Sequence, residues 1–273
     1  MVKIGLIIDE YHLKNKVDDL VSYLKKKAEI TYFVEESYLL EKDTVLRYEE
    51  DLFFVKGRGE LMINIVKNIE KRTGILVINS SRSIWLSMHR FLNSLLLQKA
   101  GINVPEFSLN PINSDPPFSN YIIKNIVDQK NYAFHPKIEK VNGETRVSDE
   151  RALKEAITKQ EEYYYYYYQK FIESKWEYKI YGVGEDIYFY KQLPVLVNPN
   201  KIETRQKIKE KPELRELASK AMETMELRLT SMDFLKSEEG IYYLTDINSV
   251  PNFNYMKDGY KIVGDFLLQE AKN

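Results

Sequence analysis

Short apolar runs alternate with segments of helical periodicity through the first eighty residues, and this alternation constrains the fold more than any other feature of the chain. In order, KIGLII (3–8) reads as a strand, residues 14–27 as an amphipathic helix and EITYFVE (29–35) as a second strand. DLFFVKGR (51–58) is a third strand, GELMINIVKNIEKR (59–72) a helix and GILVINS (74–80) a fourth strand. Strand–helix alternation of this kind predicts an open parallel sheet with crossover helices. Such a sheet binds ligands beyond the carboxyl ends of its strands. The residues placed there are Asp9, Lys56, Arg58, Asn79 and Ser80.

Beyond this sheet the pattern changes character. Ile84, Met88, Phe91, Leu92, Leu95 and Leu96 recur at steps that predict one helix over 83–100, stopped by Gly101. The polar, proline-bearing stretch 110–120 is the candidate linker. NYIIKNIV (120–127) is a strand, HPKIEKVNGETRV (135–147) a hairpin about Asn142-Gly143, and 149–160 a helix capped by Ser148. The tyrosine run Tyr163 to Tyr168 predicts a central strand with two aromatic faces, because an exposed run would invite aggregation. Two strands follow around Gly184, then a helix over 212–224, a strand pair in LTSMDFLKS (229–237) and GIYYLTDIN (240–248), and a last helix over 260–271. The sequence contains no internal repeat.

Composition limits the function classes. With 273 residues, 44% of them hydrophobic, the chain can bury a substantial core. Lys+Arg 40 against Asp+Glu 41 gives a net charge of -1, so no overall field draws the molecule to nucleic acid or an anionic membrane. The absence of cysteine removes thiol nucleophiles, disulfides and thiolate metal sites. The first apolar run ends at Asp9, too short for a signal peptide or a spanning helix. A cytoplasmic protein acting on a small-molecule substrate, without nucleic-acid or membrane partners, is expected.

The stretch YYLTDINSVPNF (242–253) carries the chemistry. Asp246 and Asn248 fall on one face of a strand that Pro251 ends, and Asp233 lies in the preceding strand. A turn at Glu238 to Gly240 would pair the two strands antiparallel and bring Asp233 near Asp246. Three oxygen ligands on adjacent strands suit Mg²⁺ or Mn²⁺ shared with a phosphate. The alternative is that Asp246 and Asn248 face solvent or begin the Pro251 turn.

Five pieces in one order decide between these. VINSSRSIWLSMHRFLNSLLLQKAGINVPEF, YIIK, YYQKFIES, EYKIYGVGE and MDFL with YYLTDINSVPNF together resemble the ATP-grasp enzymes, over residues 3–266. The resemblance implies an α/β fold, α+β in its C-terminal half, in which a Rossmann-like parallel-sheet domain (1–84) precedes a lid subdomain (85–160) and a C-terminal subdomain with a metal site (161–273). It implies ATP and Mg²⁺ (or Mn²⁺) as cofactors. Arg90 would be the first phosphate cation and Lys124 the second, on the α and β phosphates. Gln169, Lys170, Phe171 and Ile172 would form the hinge that reads adenine, Glu177 would take the ribose, and Asp233, Asp246 and Asn248 would ligate the metal. Lys179, Lys191 and Arg205 would serve the chemical step. A homo-oligomer is compatible with the family.

The sequence departs from the family pattern in five places. Arg90 and Lys179 stand where lysine and arginine are usual, respectively. KNIVDQKNYAFHPKI (124–138) lacks the glycines of a phosphate-covering flap, leaving Lys130, His135 or Lys137 to substitute. KQLPVLVNPNKIETRQKIKEK (191–211) lacks the Gly-Gly pair of RimK-like ligases and offers Lys191, Lys201 and Arg205. Asp246-x-Asn248 replaces their Glu-x-Asn and is more like the inositol trisphosphate kinases, whereas INSS and NSVPNFNYM are similar to ligases of amino acid biosynthesis. Three readings therefore stand: a RimK-like carboxylate-amine ligase acting through an acyl phosphate, a small-molecule kinase, and a nucleotide-binding protein with weak catalysis.

Overall fold

The computed structural model describes residues 1–35, 48–111, 114–128, 136–149 and 165–273. Strands β1 (Val2–Ile8), β2 (Ala28–Val34), β3 (Leu52–Lys56) and β4 (Leu76–Ile78) form a parallel sheet in the order β2-β1-β3-β4. Helix α3 (Glu60–Thr73) packs on it through Met62, Ile65, Val66 and Ile69. The single helix expected over 14–27 is instead two, α1 (Glu10–Asn15) and α2 (Asp18–Leu24). Asp9 starts α1 early, its carboxylate accepting from the His12 N–H at 2.7 Å, and buried Val17 turns the chain into the core between them.

The helix expected over 83–100 is also divided, into α4 (Ser81–Met88) and α5 (Arg90–Lys99). His89 leaves helical geometry (φ -86°, ψ 93°) to form a β-bridge with Val127. Arg90 N donates to Ile126 O at 2.8 Å and Asp128 N to Met88 O at 2.9 Å. Pairing with a distant segment overrides a continuous helical periodicity.

A second sheet joins β5 (Phe107–Pro111), β6 (Tyr121–Lys124), β7 (Pro136–Val141), β8 (Glu144–Asp149) and β9 (Tyr165–Lys170) in the order β5-β9-β6-β8-β7. Asn110 and Pro111, expected in a linker, end β5. Asn142 and Gly143 both take positive φ, 54° and 83°, as a tight hairpin turn requires. Ser148, expected as a helix cap, lies inside β8 opposite Ile123, and Asp149, expected to open the helix, ends that strand; the rest of the expected helix, 150–160, lies outside the described residues. Of the tyrosine run, Tyr165 to Tyr168 begin β9, flanked by β5 and β6, and Tyr163 and Tyr164 are outside the described residues. Tyr168 packs edge-on against Tyr121, while Tyr167 on the opposite face stacks with Phe107.

The third sheet is antiparallel: β10 (Glu177–Val183), β11 (Asp186–Gln192), β12 (Gln206–Lys207), β13 (Leu229–Lys236) and β14 (Tyr242–Asn248), ordered β12-β11-β10-β13-β14. One face, bearing Tyr178, Ile180, Phe189, Met232 and Leu244, packs on α6 (Pro212–Thr224). Gly182 permits the approach, since a Cβ there would meet the Met222 sulfur at 2.3 Å. The other face shares a core with β1, β3 and α7 (Gly259–Glu270) through Tyr181, Val183, Tyr190 and Leu229. Among the described residues no helix is long and apolar enough to cross a membrane.

Candidate functional site

An irregularity in β14 builds the site. Asp233 pairs with Asp246, but its neighbour Phe234 pairs with Leu244, so Thr245 is an extra residue in the strand. Strict alternation would put Leu244 and Asp246 on the same face. The bulge removes that conflict: Leu244 and Ile247 face the α6 core, while Asp246 and Asn248 face away from it alongside Asp233. The Thr245 carbonyl, released from the ladder, accepts from Lys124 Nζ at 3.3 Å and Gln169 Nε2 at 3.4 Å.

The second sheet and α5 supply cations to the same place. Lys124 ends β6 and donates to Gln169 Oε1 at 2.8 Å. Arg90 begins α5 and donates through Nη1 to Asn125 O at 2.9 Å, while its Nε is buried without a hydrogen bond. A cleft lined by Arg90, Asn93, Ser94, Tyr167, Gln169, Thr245 and Asp246 opens between these elements. Burial pushes the Lys124 ammonium down to about 8, although Asp246 favours its charge. Burial also opposes the Arg90 charge, but Asp128 and Asp246 outweigh it and raise its pKa.

Arg58, just past β3, ties the parallel sheet to this cleft. Its Nη1 lies 2.5 Å from Asp128 Oδ2 and its Nη2 donates to Asn248 Oδ1 at 3.1 Å. Asp128 also faces Arg90 at 3.4 Å, and the two guanidiniums hold its carboxyl low against the cost of burial. Lys56 donates to the carbonyls of Val250, at 3.0 Å, and Pro251, and burial followed by the Arg58 charge pushes its ammonium down to about 7. Asn79 donates to Leu229 O and Ser249 O, both at 2.7 Å. The carboxyl ends of β3 and β4 thus grip the exit turn of β14.

The expected chemical groups divide. Lys179 lies on the face of Asp233, at 2.7 Å from Oδ1, and the pair favours both charges over burial. Arg205 lies on that face too, donating to Tyr181 OH at 2.8 Å and Gln192 Oε1 at 2.6 Å. Lys191 does not: it stands opposite Tyr178 in the register, and its ammonium sits 4.2 Å from the Trp176 ring on the α6 side. Residues 179 and 191 occupy opposite parities of the β10–β11 ladder, where Lys179 faces Tyr190. Glu177, expected at the ribose, is buried and accepts from Lys201 at 2.8 Å and from Gln192; burial and then Asp233 raise its pKa.

In the hinge, Gln169 turns inward to Lys124, and Lys170 forms an exposed ion pair with Glu106. The Lys170 N–H donates to Glu106 O at 2.8 Å and the Phe171 N–H to Asn120 O at 2.6 Å, so neither is open to a base edge. Phe171 and Ile172 begin the connection from β9 to β10. Lys130 and His135 lie outside the described residues. Asp128, Gln192 and the bulged Thr245 went unnoticed in the sequence, where no spacing distinguishes them.

Among the described residues no group of three or more His, Cys, Asp or Glu could hold a metal. The donor set is two carboxylates, Asp233 and Asp246, beside an amide already engaged by Arg58 and by the Val250 N–H at 2.9 Å. A magnesium ion that keeps water and phosphate oxygens needs only one or two protein carboxylates. The Asp233–Asp246 pair fits that requirement better than Asn248 does.

No protein-family model matches the sequence, and no curated protein matches it. Solved structures do. The chain is similar to a RimK domain protein ATP-grasp from Sphaerobacter thermophilus (TM-score 0.69, 14% identity, 98% of this chain and 100% of that one). It is similar to D-alanine–D-alanine ligase from Bacillus anthracis complexed with ATP (0.69, 15%, 100% and 98%). It is also similar to a Chryseobacterium gregarium RiPP-associated ATP-grasp ligase in complex with ADP and a leader and core peptide (0.65, 16%, 99% and 97%). The three share one architecture with this chain over nearly its whole length.

Proposed function

Taking the ATP-grasp fold as premise, we propose that this chain is an ATP- and magnesium-dependent ligase of the RimK-like kind, joining a carboxylate to an amine through an acyl phosphate. The observation that carries the reading is that Arg90 lines the cleft that holds Asp246 and that Lys124 donates to two further lining residues, Gln169 and Thr245, with Asp233 across the ladder from Asp246. A half-buried lysine from the second sheet and a half-buried arginine from α5, facing two carboxylates of the third sheet, form a site for a polyphosphate and its counter-ion. Lys124 and Arg90 bind the phosphates, and Tyr167, Gln169 and Leu97 wall the cleft beside them. Asp233 and Asp246 hold magnesium, which when bound neutralises charge on the transferring phosphoryl group. Lys179 and Arg205 lie on the Asp233 face and orient the γ-phosphoryl group toward the acceptor carboxylate.

The acceptor approaches from the carboxyl end of the parallel sheet, near Lys56 and Arg58. It is a small molecule or a peptide, the two kinds of substrate that the names of the structural neighbours record. The kinase reading rests on the missing Gly-Gly pair, on Asp246-x-Asn248 and on the cations Lys124, Lys137, Lys179, Lys191 and Arg205 as partners for a polyanionic acceptor; of these, Lys191 lies on the α6 side of the sheet, away from Lys179. Calorimetric titration with ADP, with and without magnesium, tests the site: Asp246→Ala should abolish the magnesium dependence of binding. Phosphate release that requires both a carboxylate and an amine supports the ligase, whereas ADP accompanied by a phosphorylated alcohol and no free phosphate rejects it.

A further inference from the structure

Arg205 is held by a buried relay. Gln192, the last residue of β11, is completely buried (0% exposed). Its Nε2 donates to Glu177 Oε1, and its Oε1 accepts from Arg205 Nε at 2.6 Å. The same Glu177 oxygen accepts from Lys201 Nζ at 2.8 Å. An oxygen that receives two donors can meet only the amino end of the Gln192 amide, so the amide oxygen is turned toward Arg205. The Tyr181 hydroxyl takes a second edge of the guanidinium at 2.8 Å, and the Tyr255 ring lies 5.4 Å beneath it. Tyr181 is itself buried. Only a guanidinium fixed at two edges keeps its remaining N–H groups in one direction, here on the sheet face that carries Lys179 and Asp233.

Resting on the reading of Arg205 as a γ-phosphoryl cation, we infer that Gln192 is a positioning residue that sets Arg205 for that group and so lets the protein prefer a nucleoside triphosphate over the diphosphate. Glu177 is the anchor of the relay: it fixes the amide that fixes the arginine. Gln192 and Glu177 are buried and spend their polar atoms on the relay itself, so their loss should leave diphosphate binding unchanged. A glutamine that merely filled space would show no such selectivity.

Calorimetry with magnesium present, using ADP and the non-hydrolysable analogue AMPPNP, reads the ratio of their dissociation constants. Arg205→Ala is expected to lower the preference for AMPPNP roughly tenfold or more, the effect of one charge-assisted contact. Gln192→Met, which keeps the volume and removes the amide, is expected to lower it about tenfold while ADP binding stays within about twofold. The double variant should lose no more than Arg205→Ala does, because both changes remove one contact. An unchanged ratio in Gln192→Met, with the ratio lowered in Arg205→Ala, overturns the relay and leaves the role of Arg205 standing. An unchanged ratio in Arg205→Ala overturns the reading of Arg205, and the relay with it. Should Gln192→Met not fold, Glu177→Gln keeps the shape but permits either amide orientation; the same selective loss is expected, and its absence refutes the inference.

Discussion

Replacing Asn79 by alanine should unfold this protein more readily than any comparable truncation of a polar side chain near the cleft. Asn79 is 2% exposed, and its amide uses every hydrogen-bonding position. Nδ2 donates to Leu229 O and Ser249 O at 2.7 Å each, and Oδ1 accepts from Arg228 N at 2.9 Å and Leu229 N at 3.1 Å. Each bond contributes about 1 kcal/mol net, and more where its partner is left buried and unpaired. The four together give roughly 4 kcal/mol, a large part of the 5–15 kcal/mol typical of a folded domain. For a chain of this size that corresponds to a fall of roughly 8–16 °C in Tm, measurable by circular dichroism or scanning fluorimetry. Asn79→Asp sharpens the test. It retains the acceptor but sets a carboxylate oxygen against two carbonyl oxygens, so it should be less stable at pH 7 than at pH 5, where protonation restores one donor. A loss under about 1 kcal/mol for Asn79→Ala would mean that water replaces all four bonds, and the proposed grip of β4 on the β14 exit turn would be refuted.

Lys56 makes stability depend on pH with a definite sign. Its ammonium is pushed from 10.5 to about 7 by burial, so between those values the unfolded chain binds the proton more tightly and stability rises with pH. The gain from pH 7 to 9 is about 2–3 kcal/mol at most, and Lys56→Met should flatten that slope in a pH series of Tm values. A slope unaltered in Lys56→Met would contradict the buried ammonium. Lys191→Ala should leave nucleotide affinity unchanged, because the side chain lies on the α6 side of the sheet. Its cost is the cation–π contact with the partly buried Trp176, about 0.5–1 kcal/mol. A tenfold loss of nucleotide affinity would return Lys191 to the cleft.

Patterns that repeat along the chain were legible before the structure. The four parallel strands, the helix over 212–224, the Asn142-Gly143 turn and the pairing of β13 with β14 each follow from a local period or a turn residue. Where a helix was expected to continue through His89, the periodicity was correct on both sides and failed only where Val127 takes a place beside the backbone. Lys191 shows the same limit from the other side. The family resemblance implied a place for it in the chemical step, but parity on a paired strand assigns each side chain to one face, and the pairing partner is not written locally.

The sequence by itself determined the four parallel strands, the helices over 59–72 and 212–224, the hairpin turn at Asn142-Gly143, and which acidic and basic residues the chain offers, because hydrophobic period, turn chemistry and residue identity are local properties. Only the tertiary structure decided that Thr245 bulges out to turn Asp246 from the core and that Arg58 joins Asn248 to Asp128. It alone decided that Gln192 faces Arg205. Each of these depends on strand register or on a contact between residues far apart in the chain, and such contacts exist only once the sheets have packed.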